Sequence, residues 1–327
     1  MVELPNSLKQ HRVAASSDGD VTFGKVRYSP VKSLWFIGLL GAAVLGGIST
    51  FSIEVFLLFC ASTAFVLLFG HSLGSHRKLV HNSFECPRWL EYCLVYCGIH
   101  VGLAGPLGIL KQHELRDYAQ RLPNCHPYLR HGSTPWRDAW WQLNCELALD
   151  NPPAVSIESH IEEDRFYRFL EKTWMAHHAL IAAIFYWIGG WSFVFWGVCA
   201  RVSVSVFGHW VIGYFAHNRG DMHHVVHDAA VQGRNIRWVS LLTMGECWHN
   251  NHHAFPGSAK LGIYPGEWDP GWWTLCVMEK VGLVSALRLP QDLPARPELI
   301  LLGQRQKPNN ARATESQPSS LDSYANL

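Results

Sequence analysis

Two long apolar blocks interrupt an otherwise polar chain. The first, residues 33–75, holds no Lys or Arg and a single acidic residue, Glu54; the second, residues 173–218, holds a single basic residue, Arg201. At about 20 residues per crossing, each block is long enough for a pair of spanning helices. "GGISTFS" in the first and "GGW" in the second supply turns. The pattern therefore predicts four spans in two hairpins, at about 33–50, 52–74, 173–189 and 191–216. Lys9, Arg12, Lys25, Arg27 and Lys32 precede the first block and Arg77 and Lys78 follow it, whereas both hairpin tips lack Lys and Arg. By the positive-inside rule both termini and the central loop face the cytoplasm. The polar first 30 residues carry no apolar core after their charges, so no cleaved leader is expected.

The rest of the chain divides around these blocks. Residues 1–30 read as a flexible cytoplasmic N-terminus and 291–327 as a disordered tail, leaving a membrane domain over 31–290. The polar segments between and after the hairpins form the cytoplasmic part. One stretch is ambiguous: "YCLVYCGIHVGLAGPLGIL", residues 92–110, is apolar enough for a further span, but Gly102, Gly105, Pro106 and Gly108 argue for a broken, membrane-surface or re-entrant helix. A full crossing there would also put His113 across the bilayer from His76.

Composition changes the picture through histidine. The chain has 19, several times the ordinary share. "GHSLGSHRKLVH" carries His71, His76 and His81; His113 stands in "QHELRDYAQR"; His217 ends "GYFAH"; and "GECWHNNHH" carries His249, His252 and His253. Positions i, i+3 and i+4 share a helix face, so His249, His252 and His253 are expected to converge, and so are His113, Arg116 and Asp117. His76 and His81, five apart, would diverge by roughly 140° on an α-helix and could meet at one centre only if other ligands came between or around them. Imidazole-rich sets without thiolates suit iron, zinc or copper, and seven histidines exceed one tetrahedral site, so two metals are the natural count. Glu114, Asp117 and Glu246 could orient the rings.

Blander readings account for the other histidines. His11, His126, His131 and His160 read as surface residues, His177 and His178 as interfacial, His100 and His209 as satisfied core groups, and His223, His224 and His227 as surface. Trp136, Trp140, Trp141, Trp268, Trp272 and Trp273 read as a membrane-interface belt. Arg201 should face protein or an acidic partner, with Glu54 too near the hairpin tip to be a good one. Nine scattered Cys without a CxxC pair argue against a disulfide framework, and a net charge of +1 gives no nucleic-acid footprint.

"GSHRKLVH", "GYFAH" and "GECWHNNHHAFP", in that order around four expected spans, resemble the membrane-bound fatty acid desaturases, particularly the acyl-CoA delta-9 branch, over residues 30–275. The resemblance implies an all-α integral membrane fold with a cytoplasmic helical cap holding two irons. It also implies O2-dependent removal of two hydrogens from a fatty acyl chain. No "HPGG"-type haem box occurs, so electrons would come from an external donor of ferredoxin or cytochrome type. Carried over position by position, the metal ligands would be His76, His81, His113, His217, His249, His252 and His253. Three departures stand out. Arg116 and Asp117 replace the last two histidines of the second box, Gly213 replaces an Asn that touches one metal through water, and His71 is extra. Arg cannot bind a metal because it stays protonated. Asp117 or His71 could substitute as ligands or support the ligands from behind, and Arg116 could pair with Asp117 or meet an anionic substrate head group. A single occupied metal position, a hydroxylase or a mononuclear oxygenase on another lipid, and a catalytically silent scaffold remain alternatives.

Overall fold

The computed structural model describes residues 12–14 and 19–303. His11 and residues 304–327 of the expected tail lie outside the described residues. The chain is mostly helical. Three helical stretches among the described residues are long and apolar enough to cross a membrane: Pro30–Ser49, Ile53–Val80 and Arg165–Asn218.

Helix α1 (Pro30–Ser49) begins with Pro at its first turn, where a missing N–H costs nothing. Helix α2 (Ile53–Phe65) is capped by Ser52, whose hydroxyl accepts from Val55 N, and it runs on into a wide π-type helix over Val66–Val80. After the shorter α3 (Arg88–Ile99), α4 (Pro106–Arg121) carries the degenerate second box. The expected break between 92 and 110 falls between these two helices, with Gly102 at φ +87°. A side chain at Gly105 would collide with Glu171, whose carboxylate accepts from Leu107 N and Gly108 N at the start of α4.

Helix α5 (Pro135–Asn144) and the one-turn α6 (Ser159–Glu162) lead to α7 (Arg165–Val194), capped by Asp164. The residues of α7 lose helical geometry at Gly189 and Gly190, the latter at φ +67°. Phe185 packs against Gly197, twelve positions later, which in an unbroken helix would lie roughly 18 Å along the axis. The chain therefore doubles back at these glycines before α8 (Arg201–Asn218). Arg201, buried in this hairpin, donates to the carbonyls of Gly197 and His100, while Glu54 is exposed at the start of α2, so the two do not pair.

The final helices are α9 (His249–Ala254) and α10 (Pro270–Lys280). Three small antiparallel ladders supplement the helices, which the all-α expectation omitted. Strand β1 (Val13–Ala14) pairs with β4 (Ala154–Val155), β2 (Asp20–Tyr28) with β3 (Cys145–Asn151), and β5 (His224–Val226) with β6 (Leu299–Leu301). Strands β2 and β6 lie just outside the expected bounds of the membrane domain. Residues 20–28 form a nine-residue strand, and Arg12, which is 3% exposed, reaches Glu114 at 3.0 Å and Glu158 at 2.8 Å. The packed chain extends past 290 because Arg296 donates to the carbonyls of His253 and Ala254 at the end of α9. All nine cysteines are free.

Candidate metal centre

The five-residue spacing of His76 and His81 is resolved by the wide helix. His81 N donates to His76 O at 3.1 Å, an i→i+5 bond, so the two side chains share one face and meet edge to face instead of diverging. Their rings lie 4.8 Å apart. His113, from the middle of α4, and His252, from α9, close the group, with His113 5.2 Å and His252 4.6 Å from His76 between ring centres. Potential ligand atoms of these four residues lie within 4.8 Å of one another.

A second group forms beside it from His217, His249 and His253. His249 Nε2 lies 3.1 Å from His217 Nε2 and 3.0 Å from His253 Nε2. The third box is thus divided: the i, i+4 pair His249 and His253 serves one group, while His252 turns to the other, 5.7 Å from the His249 ring. Asn235, Asn250 and Asn251 fix this short helix; Asn235 Oδ1 accepts from Asn250 N at 2.9 Å and Asn250 Nδ2 donates to Gly233 O at 2.7 Å. Gly233 is required there, since a Cβ would stand 2.6 Å from His249 O.

The donor set fits a metal. His81 Nε2, His113 Nδ1 and both ring nitrogens of His252 are buried without a hydrogen-bond partner, which is costly unless something else satisfies them. Burial lowers the His113 pKa to about 4 and holds His81, His249, His252 and His253 well below the usual imidazole value, so these rings are neutral and their lone pairs free. His76 Nδ1 lies 2.6 Å from Glu246 Oε2, leaving Nε2 for the centre. Burial alone would raise the Glu246 carboxyl, but His76 and Arg77 hold it below the usual range. Ser72 donates to its other oxygen at 2.5 Å.

The degenerate box splits by direction. Asp117 faces the four-histidine group, with Oδ2 3.8 Å from His113 Nδ1 and 4.0 Å from His252 Nε2. Burial would raise its pKa, yet His113, Arg121 and His253 together keep it well below the ordinary carboxylate value. Arg116 turns the other way. Its Nη1 donates to Leu129 O at 3.1 Å and approaches His131 Nε2 at 2.9 Å, and its Nη2 donates to Gln142 Oε1 at 3.0 Å. It pairs with neither Asp117 nor a head-group surface, because internal acceptors occupy both terminal nitrogens. His71 belongs to neither group; its ring packs 6.3 Å from His76 and 5.2 Å from His209. Glu114, expected to orient a ring, pairs with Arg12 instead.

Four of the blander readings are corrected. His131 is buried, not a surface residue: Asp138 accepts from its Nδ1 at 2.8 Å, and its ring stacks on His217 at 5.3 Å. It also explains Gly213, because a Cβ there would stand 3.1 Å from His131 Nε2. His224 is buried on β5 with Nε2 2.8 Å from the Tyr264 hydroxyl. His100 is buried but its ring nitrogens have no partner, and His209 is exposed, so neither is a satisfied core group. The role of His131 had no signature in the sequence, since its spacing to His217 and Arg116 follows no helical period.

No family model matches the chain. Individual relatives do. The chain is 30% identical over 267 residues to an acyl-CoA C20 Delta5-desaturase of Anemone leveillei, covering 80% of this chain and 82% of that one. It is 31% identical over 276 residues to an sn-1 stearoyl-lipid 9-desaturase of Anabaena variabilis, covering 82% and 97%. It is 29% identical over 240 residues to the chloroplastic palmitoyl-monogalactosyldiacylglycerol delta-7 desaturase of Arabidopsis thaliana, covering 69% and 60%.

Proposed function

Because the chain belongs to the fatty acid desaturase family, we propose that it desaturates a fatty acyl chain, carried on CoA or on a lipid, with two irons bound at its adjacent histidine groups. One position would use His76, His81, His113 and His252 with Asp117, and the other His217, His249 and His253. The observation that carries this reading is the convergence of seven buried or half-buried imidazoles, among which His81, His113 and His252 hold buried ring nitrogens without a hydrogen-bond partner. Bound iron supplies the activation of O2 that hydrogen removal from an unactivated methylene pair requires. In balance, one acyl chain loses two hydrogens while O2 takes two electrons and two protons from outside and leaves as two waters.

The chain's own residues prepare the centre. Glu246, held by Ser72 and Arg77, orients the His76 ring. Gly213 O accepts from His217 Nδ1 at 2.6 Å, turning Nε2 inward. A small cavity of about 10 Å³ lined in part by Val95, Ile99, Val101, Leu103 and Ile109 reaches His71, whose ring lies 6.3 Å from that of His76. Four crossings in two hairpins, with the termini and the centre cytoplasmic, would bring a ferredoxin or cytochrome donor to the histidine side.

The test is expression in yeast with gas chromatography of the cellular fatty acid methyl esters. A new unsaturated species, absent with His252→Ala, is expected. A hydroxylated acyl chain would identify a hydroxylase instead. An unchanged profile from protein shown to carry iron would overturn the reading.

A further inference from the structure

The three-histidine group has one ring fewer than its neighbour, and Arg116 has turned away from it. One helical turn after Arg116, on the same face of α4, stands Gln120, only 1% exposed. We propose that Gln120 supplies the fourth protein ligand of this second metal position through its side-chain oxygen. The proposal rests on the reading that the three-histidine group holds a metal.

The amide orientation is fixed from behind. Gln120 Nε2 donates to Leu129 O at 2.8 Å, so Oε1 is the atom that faces the histidines, 3.1 Å from His217 Nε2. His217 is also fixed. Its Nδ1 lies 2.6 Å from Gly213 O, which can only accept, so Nδ1 carries the proton and the neutral ring presents a bare lone pair at Nε2. That lone pair faces the amide oxygen at 3.1 Å and His249 Nε2 at 3.1 Å, while His249 Nε2 also faces His253 Nε2 at 3.0 Å. A proton can bridge one of these pairs. A metal cation can accept from every member of the group at once.

The substitution in the second box makes sense on these terms. Leu129 O accepts from both Arg116 Nη1 at 3.1 Å and Gln120 Nε2 at 2.8 Å. Arg116 thus anchors the loop that aims Gln120. A carboxamide oxygen is a neutral, hard donor that borderline divalent ions accept alongside imidazole. The carboxylate of Asp117 lies 3.8 Å from His113 Nδ1 and 4.0 Å from His252 Nε2 and also acts on His253, so its charge is felt by both positions, while Gln120 would add a neutral donor to the second.

Cobalt(II) is the probe, because its absorption reports coordination without turnover. Wild type, Gln120→Leu and Gln120→His are purified in detergent free of metal, titrated with Co(II), desalted and counted by elemental analysis. Wild type and Gln120→His should hold about two cobalts per chain. Gln120→Leu should hold about one, with the second bound at least about tenfold more weakly, and adding His252→Ala should remove the remaining one. An unchanged melting temperature of metal-free Gln120→Leu would show that a ligand, not the fold, was lost; if it falls, the recovery by Gln120→His decides. Two cobalts at wild-type affinity in Gln120→Leu, or a single cobalt in wild type, would overturn the assignment. A wild-type chain that takes two cobalts but leaves acyl chains saturated would refute desaturation and leave Gln120 in place.

Discussion

Restoring the family's histidine by Arg116→His should weaken this protein. Removing the guanidinium deprives four acceptors of a donor: Tyr128 O, Leu129 O, Gln142 Oε1 and His131 Nε2. Two of them keep another donor, since Gln142 Nε2 bonds Tyr128 O at 2.7 Å and Gln120 Nε2 bonds Leu129 O at 2.8 Å. Gln142 Oε1 and His131 Nε2 are left unpaired in a part-buried setting, at about 1–2 kcal/mol each. The expected loss is therefore about 2–4 kcal/mol, less whatever is regained by no longer desolvating a cation. Arg116→Lys, with one nitrogen in place of a planar fork, should fall between. The assay is thermal unfolding of metal-free protein in detergent, read by tryptophan fluorescence at a fixed scan rate. A melting temperature for Arg116→His equal to or above wild type would refute the reasoning, because it would mean the Arg116 network does not hold the 128–131 loop.

Four further outcomes follow from the same structure. Gly213→Asn should push His131 off its place over His217 and cost about 1–3 kcal/mol, and combined with Arg116→His the losses should be non-additive because both act on His131; equilibrium or kinetic unfolding of the double mutant checks this. Glu246→Gln should lower metal affinity at the four-histidine group by about 10–100-fold with little change in the other group, measured by competition with a chelator. Gly233→Ala, whose Cβ would lie 2.8 Å from His253 Cδ2, should reduce bound metal below two per chain by elemental analysis. The Asp164 carboxyl, which burial would raise, is held below its ordinary pKa by Tyr92, the Tyr167 N–H and Arg88. A depressed folded pKa means that its stabilisation is complete above about pH 4 and disappears as pH falls further. Asp164→Ala should therefore cost about 1–2 kcal/mol at neutral pH and much less in acid, as read from unfolding at both pH values.

The sequence by itself determined the class of molecule. Hydropathy over residues 33–75 and 173–218 requires helices that satisfy their own backbone where water is absent, and the glycines at 189 and 190 mark where the second block turns back. The histidine boxes likewise announced the chemistry, because imidazoles without thiolates at helical spacing have few other uses. Local period could not say how the boxes would be shared. His249 and His253 parted from His252, and His76 met His81 only because the helix widened to i→i+5 bonding where it packs against α3, α4 and α10. The same limit explains why Arg116 read as damage. Its partners Leu129, His131 and Gln142 lie at separations that fit no helical face, and Gln120, hidden among ordinary glutamines, gains its orientation from a carbonyl nine residues away. Spacing along one helix fixes which side chains share a face, but only the tertiary structure decides which lone pairs from different helices are left facing one another.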